Sequence, residues 1–308
     1  MNPLDAQARE DGVPVSRRSA VRQIVRVTRV VSDLERSRCF YCDALGFRLL
    51  AGGPLSDETK QAFGIPGVSA QELVLRLCQG ELALVEFQKA GLAYPEASHS
   101  DDLWFQHLAI LVSDMDRAYA HLRGFQGWLP ITLGGPQTLP AASGGGRAFK
   151  FRDPDGHPLE LLWRAARSEE FTVQGTIAIP LFLGIDHSAI AISSTRRSRD
   201  FYEALGFNTT HATSNQGVAQ SRLDDVHDAA VRVTRLDAAP SKGLGLELLA
   251  YLPPGRASTT ARLNDRVTDW MTLDMSPLVG IASRDVFDPD HHRLLLVYQW
   301  PEETGAAP

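Results

Sequence analysis

The chain has 308 residues, enough for two domains of ordinary size, each with its own core. Its net charge of -6 argues against a general nucleic-acid binder, which would carry an excess of basic residues. No apolar run approaches the roughly 18 residues of a membrane helix, and the polar N-terminus resembles no targeting signal. The three cysteines form no disulfide framework, so we predict a soluble cytoplasmic protein.

A repeated pattern of strand and helix organises the chain, after a predicted tail at 1–21. The first copy, predicted over 22–90, begins with the alternating run IVRVTRVVSDLER and continues with SRCFYCDALGF. Alternation of apolar and polar residues is typical of a half-buried strand. The second run suits a short helix that ends at Gly46. This copy is module 1.

Module 2 is predicted over 104–165. It begins with FQHLAILVSDMDRAYAHLRGF and ends with RAFKFRDPDGHPLELLW, which indicates two strands joined by a D-P-D-G turn. Gly156 can take the positive φ that such a turn requires. A linker is predicted over 166–183.

Module 3 is predicted over 184–252, where IDHSAIAISSTRR precedes SRDFYEALGF and a helix end at Gly206. Module 4, predicted over 264–300, is shortened: DWMTLDM and DVFDPDHHRLLLVYQW leave too few residues for a full helix. A single module is too small to close a core, so the modules must pair. We therefore predict an α+β fold in which tandem βαβββ modules form two cup-shaped, mixed-sheet half-barrels.

The runs V-S-D-L-E-R-S, F-Y-x-x-L-G-F and D-P-D-G-H-x-L-E-L resemble those of the vicinal oxygen chelate superfamily. This superfamily includes glyoxalase I, extradiol dioxygenases and bleomycin resistance proteins, and the resemblance covers nearly all of 22–300. It implies the glyoxalase/dioxygenase-like fold and one divalent metal ion: Zn, Mn, Fe, Ni or Co. In this family a His at the start of a module's first strand and a Glu in its last strand point into the cup.

Modules 2 and 3 each keep both of these residues, whereas modules 1 and 4 have lost them. The implied metal ligands are His107, Glu160, His187 and Glu247. The corresponding positions in modules 1 and 4 are Arg26, Ala83, a site near Thr268, and Leu295. Pairing of modules 1 with 2 and 3 with 4 would leave two half sites. Pairing of 2 with 3 would gather all four ligands in one cup and leave a ligand-free companion cup, and we favour it.

Two imidazoles and two carboxylates on one ion suit proton transfer next to a carbonyl of a small-molecule substrate. We predict an isomerase, epimerase or glyoxalase-like lyase in which Glu160 or Glu247 is the base. Weak candidates for substrate contacts are Arg26, Trp104 and Tyr251. An Fe(II) extradiol-type ring-cleaving dioxygenase and a metal-free ligand-binding resistance protein are the alternatives. The protein could be a monomer or a homodimer, with no nucleic-acid or membrane partner.

Overall fold

The computed structural model describes residues 20–141, 145–164, 179–238, 243–257, 261–275 and 281–298. Most of the predicted tail at 1–21 and of the linker at 166–183 lies outside these ranges. Module 1 contains β1 (Gln23–Val30), α1 (Leu34–Cys39) continued by a π-turn (Phe40–Ala44), β2 (Arg48–Pro54), α2 (Asp57–Ala62), β3 (Ala70–Leu77) and β4 (Gly80–Phe87). Module 2 contains β5 (Gln106–Val112), α3 (Met115–Leu122), β6 (Leu129–Pro130), β7 (Gln137–Thr138), β8 (Arg147–Arg152) and β9 (Pro158–Trp163).

Module 3 contains β10 (Phe182–Ala191), α4 (Thr195–Ala204), β11 (Phe207–Gln216), α5 (Val218–Asp224), β12 (Ala230–Ala238) and β13 (Gly245–Tyr251). β10 begins two residues before the predicted start of the module, because Phe182 already pairs with Val112 of β5. Module 4 contains β14 (Asp269–Asp274), β15 (Arg284–Phe287) and β16 (Arg293–Val297), with no helix among its described residues. No helix in the described ranges is both long and apolar enough to span a membrane.

A polar side chain caps each helix that follows a module's first strand. Asp33, Asp114 and Ser194 accept hydrogen bonds from backbone N–H groups three residues on, at 2.9, 3.0 and 3.4 Å. After two of these helices, Gly46 and Gly206 take φ of 74° and 103°, values that suit a residue without a Cβ. The predicted helices and their glycine ends are confirmed.

The strands form two mixed sheets, each made from two modules. The larger sheet has the order β11-β12-β13-β10-β5-β9-β8-β6, with β7 also on β8, and joins module 2 to module 3. The smaller sheet has the order β15-β16-β14-β1-β4-β3-β2 and joins module 1 to module 4. Within each module the first and last strands are parallel, and across each join the two first strands are antiparallel. The two sheets form the predicted cup-like halves.

One hydrophobic core joins all four modules. It contains a buried residue from each first strand: Val27, Leu108, Ile190 and Met271. Successive side chains of a strand face opposite sides of its sheet. Each neighbour of these core residues therefore faces into a cup, and His107 beside Leu108 is one example.

The D-P-D-G-H turn of module 2 crosslinks that module to module 1. Tyr41 donates a hydrogen bond to Asp153 at 2.7 Å, and Ser32 donates one to Asp155 at 2.6 Å. His157 Nε2 lies 2.9 Å from the carbonyl oxygen of Val30. Gly156 takes the predicted positive φ, 98°. The turn therefore joins the start of β9 to the helix and first strand of module 1.

The same three contacts recur between modules 3 and 4. They join Tyr202 to Asp288 at 3.1 Å, Ser193 to Asp290 at 2.5 Å, and His292 to the carbonyl oxygen of Ala191 at 2.8 Å. Sheet pairing thus joins modules 2 with 3 and 1 with 4, while the turns join 1 with 2 and 3 with 4. The sequence runs that identify the fold supply the residues that make these contacts between modules 1 and 2 and between modules 3 and 4.

Candidate metal centre

Four strands of the larger sheet bring His107, Glu160, His187 and Glu247 to one cavity of about 180 Å³, here called the metal cavity. Each glutamate pairs with the residue two positions after the histidine of its own module, Ala109 or Ala189. Because strand side chains alternate, His and Glu of one module then lie on the same face. Ala189 also pairs with His107 across the join, which makes the two histidines neighbours.

The imidazoles and carboxylates approach one another closely. His107 Nε2 lies 3.6 Å from Glu160 Oε2, and His187 Nε2 lies 3.8 Å from the same oxygen. On its other side, His187 Nε2 lies 3.5 Å from Glu247 Oε2. The two imidazole ring centres are 5.5 Å apart. The ligand atoms form two overlapping groups, in each of which they lie within 4.8 Å of one another: His107, Glu160 and His187, and Asp186, His187 and Glu247.

The protonation of these groups fits a cation between them. Burial, followed by the charge of Lys150, lowers the pKa of His107 to about 4, so this ring is neutral at neutral pH. Burial would raise the pKa of Glu160, but the adjacent His107 and the charge of Lys150 hold it below its usual value. Nε2 of both histidines is buried and has no hydrogen-bond partner among the described residues. Imidazole nitrogens and carboxylate oxygens gathered in this way are ligand types that suit a divalent transition metal ion or zinc.

Asp186 supports this centre and was missed by reasoning from the sequence. Its Oδ2 lies 2.9 Å from Nδ1 of His187, the usual arrangement in which a carboxylate fixes the tautomer and orientation of a ligating imidazole. Burial would lower the pKa of His187, but Glu247 and Asp186 raise it. Strand alternation places Asp186 on the face opposite His187. A β-bulge between Ile185 and His187 interrupts this alternation, so the Asp186 side chain lies on the same side as His187.

Two arginines stand beside Glu247. Arg235 Nη1 lies 3.0 Å from Asp186 and 3.6 Å from Glu247, and Arg164 Nη2 lies 3.4 and 3.7 Å from the same two residues. Both line the metal cavity. Burial would raise the pKa of Asp186, but His187 and then these arginines hold it well below its usual range. Glu247 thus presents Oε2 to His187 and Oε1 to the two guanidinium groups.

A buried ion pair closes another side of the metal cavity. Lys150 pairs in register with Glu160, so its side chain faces the cup. Its Nζ lies 2.6 Å from Asp224 at the end of α5, and Gln220 donates to the other oxygen of Asp224 at 2.6 Å. Thr132 also donates to the carbonyl oxygen of Leu223 at 3.0 Å. These contacts hold a helix of module 3 against module 2.

We expect Lys150→Met to lower the free energy of unfolding by about 3 kcal/mol, because it leaves the Asp224 carboxylate buried without its cation. The double variant Lys150→Met/Asp224→Leu should recover most of this loss, since it removes both charges. Urea denaturation of the wild type and the two variants measures the effect. Equal stability of the single and double variants would contradict a coupled pair.

The companion cup in the smaller sheet is filled by the protein itself. Trp270 of module 4 pairs with Thr28 across the smaller sheet, as His107 of module 2 pairs with Ala189 across the larger sheet. In module 4, Trp270 and not Thr268 therefore stands at the position of the histidine. The placement near Thr268 is wrong because β14 begins after that residue. The cup is filled by an apolar cluster that includes Trp270, Leu295, Val85, and the residues after α2, Phe63 and Ile65.

The three weak candidates for substrate contacts lie in different places. Tyr251 lines the metal cavity. Arg26 does not: its Nη2 lies 3.1 Å from Glu81 Oε2 within the smaller sheet. Trp104 does not line the cavity either, and its Nε1 donates to Ser98 at 3.1 Å. Arg26 and Trp104 are therefore not beside the four predicted ligands.

Comparison with known proteins finds a matching family and a relative. The family model described as the Glyoxalase/Bleomycin resistance protein/Dioxygenase superfamily matches residues 23–161. The uncharacterized protein YaeR of Escherichia coli (strain K12) is 30% identical over 142 residues, which are 46% of this chain and 95% of that protein. The chain belongs to this superfamily. The likeness of sequence thus covers the first two modules of this superfamily member.

Solved structures extend the likeness to the whole chain. Glyoxalase I from Zea mays is 18% identical and superposes with a TM-score of 0.57 over 90% of this chain and 92% of its own. A putative dioxygenase from Bacillus subtilis is 14% identical, with a TM-score of 0.55 over 92% of this chain and 86% of its own. At these identities the likeness shows the fold, not the reaction.

Proposed function

We propose that the protein is a divalent-metal-dependent enzyme that transfers a proton at a carbon next to a carbonyl of a small molecule, as an isomerase, epimerase or lyase. One observation carries the proposal: the Nε2 atoms of His107 and His187, without hydrogen-bond partners in the described residues, face the carboxylates of Glu160 and Glu247 within 4 Å. A divalent ion held by these side chains would polarise a substrate oxygen and stabilise negative charge on it.

The two glutamates differ in their surroundings, and this difference supports separate roles. Glu160 contacts both imidazoles, at 3.6 and 3.8 Å, so it is placed to hold an ion between them. Of the two histidines, Glu247 contacts only His187. Its side chain is 13% exposed, against 8% for that of Glu160. We assign Glu160 as a fixed ligand and Glu247 as the general base that exchanges a proton with the substrate.

Hydrogen exchange tests the reaction class without knowledge of the natural substrate. The protein loaded with Zn²⁺, Mn²⁺ or Ni²⁺ is incubated in D₂O with α-hydroxycarbonyl compounds such as lactaldehyde, glyceraldehyde and dihydroxyacetone. We expect NMR to show loss of the proton next to the carbonyl, and we expect EDTA to stop that loss. Exchange at the same rate with and without the metal would contradict the proposal.

One observation favours a second candidate, an Fe(II) dioxygenase. His107, Glu160 and His187 form a group of three whose ligand atoms lie within 4.8 Å of one another, and two histidines with one carboxylate is the ligand set of many non-haem iron oxygenases. The iron-loaded protein would then consume oxygen with catechol. Oxygen uptake together with an absence of hydrogen exchange would replace the first proposal by this one.

A further inference from the structure

Arg164 stands at the metal cavity directly after the last strand of module 2. Glu160, Leu162 and Arg164 are alternate residues of the chain, and all three line the cavity. Successive side chains of an extended chain face opposite sides, so the arginine continues the inward face of β9. Its side chain is 36% exposed, whereas that of Glu160 is 8% exposed. Arg164 therefore extends from the buried ligands toward the opening of the cavity.

The guanidinium group of Arg164 is held only loosely by the protein. Its Nη2 lies 3.4 Å from Asp186 Oδ2 and 3.7 Å from Glu247 Oε1. Both distances exceed the roughly 2.7–2.9 Å of a hydrogen bond between charged groups. A guanidinium group carries several N–H donors in a planar fork that fits a carboxylate or a phosphate. Since these two contacts involve one nitrogen of the fork, the group can still bind an anion.

The other two cations of the lining are held more firmly. Lys150 Nζ lies 2.6 Å from Asp224, and the lysine side chain is only 4% exposed. Arg235 donates a hydrogen bond to Asp186 at 3.0 Å, and its side chain is 15% exposed. Among the described lysines and arginines of this lining, Arg164 is therefore the one that is both accessible and loosely held.

The place of Arg164 beside the proposed base limits the kind of substrate. Glu247 lies between Arg164 and His187: its Oε1 is 3.7 Å from the guanidinium group, and its Oε2 is 3.5 Å from the imidazole Nε2. A substrate that spans this distance would pass the base. The metal cavity, of about 180 Å³, is smaller than the roughly 300–1,000 Å³ of sites for drug-sized ligands. It therefore suits a substrate of a few carbon atoms.

We propose that the substrate of the metal centre is a small carbonyl compound with a carboxylate or phosphate group, and that Arg164 binds this group. The inference rests on the proposed proton transfer and adds the class of substrate to it. Arg164 determines specificity: it binds the anion through its planar fork and so directs the carbon next to the carbonyl toward Glu247. A neutral carbonyl compound lacks this contact and binds more weakly.

The exchange assay in D₂O tests this proposal with compounds of similar size and different charge. Dihydroxyacetone phosphate and hydroxypyruvate carry a phosphate and a carboxylate, and dihydroxyacetone carries neither. For the metal-loaded wild type we expect kcat/KM to be at least about tenfold higher for one of the anions, the factor for one charged hydrogen bond. Arg164→Gln should remove this preference through a higher KM, while its kcat/KM for dihydroxyacetone stays that of the wild type. The better anion shows whether the group is a phosphate or a carboxylate.

Arg117→Gln is the matched control, because it removes the same charge from an exposed position of α3 that is not part of the cavity lining. It should keep the preference for the anion. Calorimetry with 2-phosphoglycolate, an anion that needs no turnover to be measured, gives a second readout. Arg164→Gln should bind it at least about tenfold more weakly than the wild type and Arg117→Gln do.

The wild-type preference and the wild-type affinity for 2-phosphoglycolate in Arg164→Gln would overturn the proposal. Equal losses for dihydroxyacetone and the anions would also overturn it, because Arg164 would then act on Glu247 and not on the substrate. If the wild type exchanged none of the compounds, the proposed proton transfer would fail instead. The calorimetric comparison would in that case still decide whether Arg164 binds an anion.

Discussion

Replacing either His107 or His187 by alanine is expected to remove the same single metal equivalent from the protein. Both imidazoles face Glu160 Oε2, at 3.6 and 3.8 Å, so an ion between them would lose a nitrogen ligand in either variant. Loss of one of two imidazoles from such a site lowers affinity by orders of magnitude. The measurement is metal content by mass spectrometry after purification and dialysis, for the wild type and both variants.

The control for this experiment lies in the same cavity. His211 lines the metal cavity but is not among the described side chains whose ligand atoms lie close enough together to hold one ion. His211→Ala should therefore keep the full metal content. If His107→Ala lost its metal while His187→Ala kept it, the two histidines would not share an ion. A wild type that binds no divalent ion would instead favour a metal-free ligand-binding protein.

Much of the fold can be read from the sequence because the repeated runs have local physical causes. The helices that follow β5 and β10 begin after Asp114 and Ser194 because these side chains cap them. The histidine lies seven residues before each cap, which fixes the face on which it stands. Glu160 and Glu247 interrupt the apolar runs of last strands, where the resemblance to the superfamily implies a ligand. These four residues could be named without coordinates.

The rest of the site depends on features that alternation does not contain. Asp186 reaches His187 because of a β-bulge, and a bulge reverses the face that the sequence pattern assigns. Asp224 reaches Lys150 from a helix of another module, 74 residues away in the chain. Trp270 was missed as a counterpart of His107 because its position is set by pairing across the sheet. The parts of the site that depend on a bulge or on contacts between modules therefore could not be predicted from the sequence.

The motifs also explain why the fold is easier to name than the reaction. Tyr41 of the FYCDALGF run donates a hydrogen bond to Asp153 of the D-P-D-G-H run, and Tyr202 and Asp288 repeat that contact. These hydrogen bonds hold the modules together, and none of the four residues lines the metal cavity. Their residues are set by packing, so they carry no information about the substrate.

Glu247→Gln is expected to lower turnover by about a thousandfold while the metal stays bound, in the range that loss of a general base produces. Glutamine keeps the shape of the side chain and an oxygen toward His187, but it cannot accept a proton. Glu160→Gln should act differently, because Glu160 contacts both imidazoles: it should weaken metal binding, and excess metal should restore much of its activity. The measurements are the exchange rate in D₂O at saturating metal and the metal dissociation constant.

Adding metal to the Glu247→Gln and Glu160→Gln variants distinguishes a general base from a metal ligand. A ligand variant recovers when metal is added, since its defect is in occupancy; a base variant does not, since its defect is in the chemical step. Wild-type turnover in Glu247→Gln would remove the proposed base. If added metal restored Glu247→Gln and failed to restore Glu160→Gln, the two roles would be exchanged. The contacts of Arg164 and Arg235 lie on Glu247 Oε1, so Oε2 is the oxygen that would exchange the proton.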